Sequence, residues 1–358
     1  MKLKGKYMVV RFNILIFSLV FAILPTTLYG QQNQVLIGAY YFGGWSGHNR
    51  NSSSWDRKAP THATEKLEKQ FRGRKPIWGW RDDSNPIMQK QISLASQNGI
   101  DCFFFDWYWS DNNSTINKTA IATNTLHDCI KRFMAAKNNN KMKFAMMIAN
   151  HSGFEIKGKD NWISLVDYMS SHYFNHKCYL KFDGKPVIAV FSPKDMFPYV
   201  KEMKKEALRK GFPGLYIIAL GEHNNPDVDA VGWYNIREAE TGVSTKRNYE
   251  NFTHYVEKCW YKNPRLYPVI MSGWDQRPWN NQNNTLYYTG RTPKLFGEHL
   301  SKAYEFLNNC TLSHKLIMIY AWNELGEGGY IVPCKEDPDG LYLKEIIKVK
   351  KKYQKFNK

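Results

Sequence analysis

Eight short apolar runs recur along the chain, and each is followed by polar or aromatic residues. An amphipathic stretch with helical spacing follows most of them. Continuous apolar runs of this length are typical of strands buried on both faces, as in a parallel sheet covered by helices. The runs cover residues 35–42, 100–106, 143–150, 185–191, 214–221, 228–233, 266–272 and 315–321.

Eight strands that alternate with helices predict an α/β fold, namely a closed (β/α)8 TIM-type barrel with a single domain. The exception is the link between the fifth and sixth runs, which is too short for a helix. A doubly wound open sheet is the rival fold, but Gly43-Gly44-x-x-Gly47 is a poor match to its phosphate-binding turn. The predicted helices cover 86–97, 116–137, 162–172, 198–210, 249–261 and 293–308.

Residues 1–30 have the pattern of a secretory signal, with a basic start, an apolar run at 14–24 and small or turn-forming residues before Gln31. The apolar run is short for a membrane span of about 20 residues. We therefore expect export by a cleaved signal, to the periplasm or outside the cell, with an uncleaved anchor as the alternative. The barrel would then occupy 31–358, with an aromatic-rich loop at 43–85 over its mouth and a Lys-rich tail at 344–358.

The formal net charge is +18, and the part after residue 30 carries +14 because the first thirty residues hold four basic and no acidic side chains. Such a balance could attract an acidic glycan, although the Lys-rich tail supplies much of it and usually indicates a solvated helix face. No nucleic-acid motif is present, so we expect no nucleic-acid partner. The six cysteines include no Cys-x-x-Cys pair, and they could be bridges or buried thiols.

In a barrel of this type, the functional side chains gather at the carboxyl ends of the strands. Those ends carry aromatic rings beside carboxylates, amides and imidazoles, which suits a sugar with apolar C–H faces and many hydroxyls. The competing explanation is that the tryptophans only fill the barrel ends. The predicted substrate-binding residues are Tyr40, Tyr41, Trp45, Asp106, Trp107, Trp109, Asn150, His151, Glu222, Trp233, Tyr234, Trp274, Asp275 and Asn323.

The most informative motif follows the last apolar run and reads Trp-Asn-Glu-Leu-Gly-Glu-Gly-Gly-Tyr at 322–330. Glycosidic cleavage typically needs two carboxyl groups, one of which protonates the leaving oxygen. Glu324 and Glu327 are three residues apart on a turn that its glycines allow to fold tightly, so both could face one cavity. We predict that they are the catalytic pair, and we expect no metal or other cofactor because no His-rich metal spacing appears.

The block at 323–331, with Asp339-Gly340 and Tyr342-Leu343 downstream, resembles the closing motif of the WbsX-like group. That group is related to glycoside hydrolase family 99, which contains endo-α-mannosidases and endo-α-mannanases. The similarity continues upstream in Ala-Tyr-Tyr-Phe at 39–42, Gly-Ile-Asp at 99–101, Ala-Asn at 149–150, Gly-Lys-Pro-Val at 184–187 and Gly-Trp-Asp at 273–275.

This resemblance implies a (β/α)8 glycan hydrolase that acts with retention. It would assign Glu324 as the base that acts on the 2-hydroxyl of the sugar, giving an anhydro-sugar intermediate, and Glu327 as the general acid and later the base. Leu325 and Gly326 stand where family 99 members usually have Trp and His, and Gly326 follows the WbsX form. A WbsX-type glycosyltransferase and a non-catalytic carbohydrate-binding barrel remain the alternatives.

Overall fold

The structure is a computed structural model that describes residues 34–47, 56–110, 115–221, 224–238, 245–280 and 285–356. Within these ranges, eight strands form one parallel barrel sheet. These strands are buried on both faces; in the strand Cys102–Trp107, for example, all six residues are buried. The strands are β1 (Leu36–Tyr41), β2 (Cys102–Trp107), β3 (Lys143–Ala149), β4 (Lys185–Phe191), β5 (Tyr216–Leu220), β6 (Ala230–Gly232), β7 (Val269–Met271) and β8 (Leu316–Tyr320).

The strands pair in the order β6-β5-β4-β3-β2-β1-β8-β7, and every pairing along this path is parallel. The backbone just before β7 meets β6 in a parallel bridge. There, the Val231 amide donates to the Arg265 carbonyl at 3.0 Å, and the Tyr267 amide donates to the Val231 carbonyl at 2.9 Å. The sheet is therefore nearly closed, and the predicted (β/α)8 fold is confirmed.

Helices cover the outside of the barrel, and side-chain caps determine where several of them begin. The Ser84 hydroxyl accepts from the Ile87 amide, and the Thr292 hydroxyl accepts from the Leu295 amide, each with a proline in the following first turn. The described helices are α1 (Glu65–Gln70), α2 (Asn85–Gln97), α3 (Lys118–Thr123), α4 (Asp128–Ala135), α5 (Lys159–Met169), α6 (Val200–Arg209), α7 (Tyr249–Trp260), α8 (Pro293–Leu307) and α9 (Leu341–Phe356).

The segment at 116–137 differs from its prediction, because it is not one helix. It divides into α3, a 3-10 turn at Thr125–His127 and α4. The Asn124 side chain causes the break, since its oxygen accepts from the Leu126 amide at 3.0 Å and starts a new turn. Such local bonds compete with the helix ladder. The break also turns His127 inward, where it packs beside β2.

The described parts of the aromatic-rich loop, 43–47 and 56–85, pack against the barrel mouth. Trp45 is fully buried and stacks between Trp80, with ring centroids 5.9 Å apart, and Trp279, at 6.2 Å. The α1 helix and a 3-10 turn at Arg72–Arg74 complete this layer. The loop therefore contributes core as well as surface. Residues 1–30, predicted as a signal, and Glu222 lie outside the described residues.

The Lys-rich segment predicted as a tail from 344 is helical as far as Phe356, within α9. Most of its described lysines are exposed, but Lys350 is buried. Its Nζ contacts Asp101 Oδ1 at 2.6 Å and Oδ2 at 2.5 Å, and donates to the Gly99 carbonyl at 2.8 Å. Helical periodicity explains the difference, since residue 350 falls on the same face as Leu343 and Ile346, which pack inward.

All six cysteines are buried with free thiols, so the structure contains no disulfide among them. Burial raises the pKa of the Cys102 and Cys129 thiols well above the ordinary value. These side chains therefore act as small apolar core groups. Within the ranges that the structure covers, no helix is both long and apolar enough to cross a membrane.

Candidate active site

A cavity of about 330 Å³ opens at the carboxyl end of the barrel. It adjoins a larger cavity of about 1070 Å³, and the two share His151, Phe191, Tyr234, Asn235 and Arg237 as lining residues. The smaller cavity, which we call the acidic cavity, contains three carboxyl groups. Its lining residues are Phe42, His62, Asp106, Tyr108, Leu126, Met147, Ala149, His151, Phe154, Phe191, Tyr234, Asn235, Arg237, Trp274, Gln276, Trp279, Glu324 and Glu327.

Glu324 and Glu327 both line the acidic cavity, and the local backbone explains why. Residues Asn323–Glu324 pair antiparallel with Gly329–Tyr330, so the chain reverses within a few residues after β8. Gly328 lies in the left-handed region at φ 76°, a conformation that favours glycine. The tight turn thus presents both carboxyl groups to one space.

The Glu327 carboxylate is fixed by two neutral donors. The Gln276 amide donates to its Oε1 at 2.8 Å, and the Tyr320 hydroxyl donates to its Oε2. Burial raises the pKa of Glu327 above its ordinary value, although these two hydrogen bonds and the charge of Arg237 act in the opposite direction. A carboxyl group with a raised pKa can hold a proton near neutral pH and is suited to donate it.

Asp106 and Glu324 meet at one tyrosine. The Tyr234 hydroxyl oxygen lies 2.5 Å from Glu324 Oε1 and 2.9 Å from Asp106 Oδ2. Burial is the main cause that raises the pKa of both carboxyl groups; the charge of Glu327 adds to it, and the hydrogen bond from Tyr234 opposes it. Their other oxygens, Asp106 Oδ1 and Glu324 Oε2, have no hydrogen-bond partner among the described residues.

In the described ranges, no group of three or more His, Cys, Asp or Glu side chains is arranged to hold a metal ion. The three carboxyl groups of the acidic cavity are instead paired with tyrosine and amide donors. The arrangement is an acidic site in which the Tyr234 hydroxyl links two carboxyl groups and separate donors hold the third. It can donate a proton at one point and accept one at another.

Four of the predicted substrate-binding residues line the acidic cavity together with the glutamate pair: Asp106, His151, Tyr234 and Trp274. Two more, Asn150 and Trp233, line the larger cavity beside it. Asn150 also has a structural role, because its Nδ2 donates to the Ser192 carbonyl at 2.9 Å and its Oδ1 accepts from the Ile156 amide at 2.7 Å.

Seven predicted residues line neither of these two cavities. Alternation along the strands explains several of them, because successive side chains of a strand point to opposite faces. Asp106 and Tyr108 face the cavity, whereas Trp107 points outward and stacks on His127 with centroids 5.4 Å apart. The seven are Tyr40, Tyr41, Trp45, Trp107, Trp109, Asp275 and Asn323.

The buried polar groups among these seven support the site from behind. Asn323 holds the end of β1, since its side chain accepts from the Phe42 amide at 2.8 Å and donates to the Phe42 carbonyl at 2.9 Å. Its own carbonyl accepts from Trp45 Nε1 at 2.9 Å. Tyr40 packs under Tyr234, with ring centroids 4.7 Å apart. These contacts fix the backbone that carries Glu324.

Asp275 lies behind the turn that carries Glu324 and Glu327, in a buried charge cluster. Its carboxylate is paired with Arg74 and, at 2.7 and 2.8 Å, with Arg277. Burial would raise its pKa, but the two arginines outweigh that effect and hold the pKa below its ordinary value. Its amide donates to the Glu327 carbonyl at 2.6 Å, and Arg74 donates to the Leu325 carbonyl at 2.9 Å. This cluster therefore fixes the turn.

Sequence reasoning missed several lining residues, among them Tyr108, Arg237, Gln276 and Trp279. Tyr108 could have been found from the strand alternation, because it is two residues beyond Asp106. Arg237, Gln276 and Trp279 lie on loops after β6 and β7, and no sequence signal points to them. Trp279 packs directly on the backbone of Gly326, between the two glutamates, and its Nε1 donates to the His62 carbonyl at 3.1 Å.

Residues 80–346, most of the chain, match the protein family described as "Glycosyltransferase WbsX". The chain belongs to the WbsX family. A curated relative from Xanthomonas campestris pv. campestris (strain B100), named "Uncharacterized protein WxcX", is 20% identical over 284 residues, which cover 71% of this chain and 40% of the relative. The chain thus spans about two fifths of the length of the curated relatives it matches.

Solved structures with the same fold include the GH99 endo-alpha-mannosidase of Bacteroides thetaiotaomicron. It has a TM-score of 0.61 and 17% identity, and the match covers 89% of this chain and 97% of that one. A "glycoside hydrolase-like protein" matches with a TM-score of 0.62, 17% identity and coverage of 92% and 97%. This WbsX family member therefore shares the barrel fold of family 99 structures.

Proposed function

We propose that this WbsX family member is a glycoside hydrolase in which Glu324 and Glu327 act on one glycosidic bond. The observation that carries the proposal is that both carboxyl groups line one buried cavity at the carboxyl end of the barrel. Most glycosidases place two carboxyl groups around the scissile bond and use them in different roles. The different hydrogen-bond partners of the two glutamates provide the means to separate those roles.

Glu327 is suited to be the general acid. Gln276 and Tyr320 hold its oxygens in place, and burial raises its pKa. Burial raises the pKa of Glu324 as well, so the order of the two roles rests on the family resemblance and on the different hydrogen-bond partners. In this assignment it would protonate the leaving oxygen and then, once ionised, activate water. Its proximity to Arg237 would stabilise the carboxylate formed after the proton has left.

Glu324 is suited to be the base. It contacts Tyr234 through Oε1, and its buried Oε2 has no hydrogen-bond partner among the described residues. This unused acceptor supports the assignment. The family resemblance extends this proposal to attack by the 2-hydroxyl through an anhydro-sugar intermediate, with net retention. The sugar's apolar face would pack against the aromatic rings of the acidic cavity, such as Trp274 and Trp279.

The substrate that we propose is a glycan or polysaccharide that extends from the acidic cavity into the larger one, which is about 1070 Å³. That cavity is lined by Trp233 and Tyr255, and its charged lining residues are three acidic and three basic: Glu155, Asp195, Glu238, Lys194, Arg237 and Lys262. It therefore offers rings and hydrogen-bonding groups to a sugar, and its balanced charge gives no preference for an acidic glycan. Export through the segment at 1–30 belongs to the same proposal, because extracellular polysaccharides are then within reach.

The decisive experiment is a hydrolysis screen against a panel of bacterial, plant, fungal and host glycans, followed by Glu327→Gln. Loss of the general acid should lower kcat about 10²–10⁴-fold on the natural glycan. In kcat/KM, which reports the first step, the loss should be much smaller on activated aryl glycosides of the same sugar, since their leaving groups need no proton. The second step should stay slow on both substrates, because Glu327 is also its base. Glu298→Gln on α8 is the matched control, because that side chain is 58% exposed and remote from the cavity.

Three results would contradict the proposal. Wild-type turnover by Glu327→Gln would remove Glu327 from the chemistry. Transfer from a nucleotide sugar without hydrolysis of any glycan would favour the glycosyltransferase of the family description. Tight glycan binding with no product after long incubation would favour a binding protein. The anomeric configuration of the first product, measured by NMR, tests retention separately.

A further inference from the structure

The contact between Asp106, Tyr234 and Glu324 constrains the number of protons at the site. All three side chains are buried, and the Tyr234 hydroxyl oxygen is within hydrogen-bond distance of an oxygen of each carboxyl group, at 2.9 and 2.5 Å. A phenol has one hydrogen to donate. If both carboxyl groups were ionised, one of these short oxygen–oxygen contacts would join two acceptors with no hydrogen between them.

One additional proton removes this conflict. If one carboxyl group is neutral, it donates to the Tyr234 oxygen, and Tyr234 donates to the other carboxyl group. Both contacts are then hydrogen bonds, and the three groups carry one negative charge. Two buried carboxylates close to one another would be costly, and a shared proton avoids that cost.

The two distances differ in the direction expected if the extra proton is on Asp106. Hydrogen bonds from a hydroxyl to a carboxylate are short, about 2.5–2.7 Å, whereas those between neutral oxygens are longer. The 2.5 Å contact joins Tyr234 to Glu324, and the 2.9 Å contact joins it to Asp106. We propose that Asp106 is a positioning residue which stays protonated, donates to Tyr234 and thereby holds Glu324 as an oriented carboxylate.

The groups around this unit are compatible with a neutral Asp106. Arg237 lines the cavity, and its charge acts on Glu327 rather than on Asp106. Burial raises the pKa of both carboxyl groups of the unit, which is consistent with one additional proton. The Tyr108 hydroxyl lies 3.5 Å from Asp106 Oδ2. The other titratable groups that face the unit, from β1, β2, α4, β3 and β8, are Tyr40, Tyr108, Cys129, His151 and Tyr320.

The positioning role rests on the proposed function, whereas the location of the proton does not. With Asp106 neutral, the single negative charge of the unit is on Glu324, whose Oε2 is free to take a proton from a substrate hydroxyl. Tyr234 fixes Oε1 and so fixes the plane of the carboxylate. Asp106 acts only through Tyr234, and its own proton stays in place during the reaction.

A vibrational measurement locates the proton without any substrate. The stretching band of protonated carboxyl groups is recorded by infrared spectroscopy at neutral pH in two samples. One carries an isotopic label on the side-chain carboxyl carbon of aspartate, and the other carries it on that of glutamate. Asp82 is a second buried aspartate with a pKa raised to about 7, so the measurement uses Asp82→Asn as background. We expect a band that follows the aspartate label and is lost in Asp106→Asn. A glutamate band that is lost in Glu324→Gln, with no aspartate band lost in Asp106→Asn, would overturn the proposal.

Activity tests the positioning role. Asparagine can donate through its amide as a neutral carboxyl does, whereas leucine cannot. We therefore expect Asp106→Asn to keep at least tenfold more kcat than Asp106→Leu, and the acid side of its pH profile to stay where it is in the wild type. If both variants lost the same factor in kcat, or if the acid side of the pH profile moved strongly in Asp106→Asn, Asp106 would work as an anion. The expected spectrum without any glycan hydrolysis would instead disprove the proposed function alone.

Discussion

Gly326 separates the two candidate catalytic glutamates, and the structure shows why this position has no side chain. A Cβ at residue 326 would lie deep inside the contact distance of three ring carbons of Trp279, namely Cε2, Cζ2 and Cδ2. The indole cannot easily withdraw, because its Nε1 donates to the His62 carbonyl and its ring packs against Phe42 and Trp45. Gly326→Ala must therefore displace either Trp279 or the catalytic turn.

The size of the effect follows from this geometry. Carbon atoms normally approach to about 3.5–4.0 Å, so the ring or the turn must move by more than about 1 Å. Overpacking of this kind typically costs about 1–3 kcal/mol of folding free energy. Misplacement of a catalytic group by about 1 Å can cost up to roughly 10²-fold in rate. We expect Gly326→Ala to lose about 2 kcal/mol of stability and about 10–100-fold in kcat.

A double-mutant cycle measures whether Trp279 is the cause. Free energies of unfolding and kcat are determined for Gly326→Ala, Trp279→Ala and the double variant. Without the indole, the three closest contacts of the new methyl group are gone, so Gly326→Ala should cost at least about 0.5 kcal/mol less in that background, a clear departure from additivity. Gly297→Ala on α8 is the control, because the group its Cβ would meet at 2.7 Å is the flexible Glu345 carboxylate.

Two results would refute this reasoning. If Gly326→Ala left both stability and kcat unchanged, the packing of Trp279 on the turn would not constrain the site. If Gly326→Ala cost the same with and without the indole, the penalty would come from the backbone of the turn. In either case Trp279 would be only a lining residue.

Two further predictions concern the buried polar groups. Tyr320→Phe removes a hydrogen bond that lowers the pKa of Glu327, so that pKa should rise. The alkaline side of the kcat/KM profile should then move to higher pH. An alkaline side that stays in place or moves to lower pH would contradict the general-acid role. Lys350→Met removes the charged partner of Asp101, whose carboxylate keeps, within the described ranges, only the Ile37 amide as a donor, at 2.8 Å. It should lower the free energy of unfolding by up to about 3 kcal/mol in urea titrations, against little change for the exposed Lys351→Met. Equal stability of the two lysine variants would show that the buried pair has no net effect.

Much of the fold was predictable because its signals are local. Each barrel strand is a short run that is apolar on both faces, and each such run could be recognised without knowledge of its neighbours. The same holds for the helix starts at Pro86 and Pro293. The break within 116–137 was missed because a single side-chain bond, from Asn124 to the Leu126 amide, outweighs a weak helical periodicity.

The candidate site was predictable only in part. Glu324 and Glu327 are close in sequence, so a tight turn after the last strand is sufficient to bring them to one cavity. The aromatic residues at the strand ends were harder, because Trp107 and Tyr108 are adjacent in sequence but point to opposite faces of the barrel. The alternation of strand side chains could have separated them, whereas composition could not.

The sequence by itself determined the alternation of strands and helices and the position of the acidic turn, because both depend on residues that are near one another in the chain. The tertiary structure alone decided which side chains surround that turn. Tyr234 reaches Glu324 across 90 residues and Asp106 across 128. Closure of the barrel brings the ends of β2, β6 and β8 around one space, and no local pattern encodes that convergence.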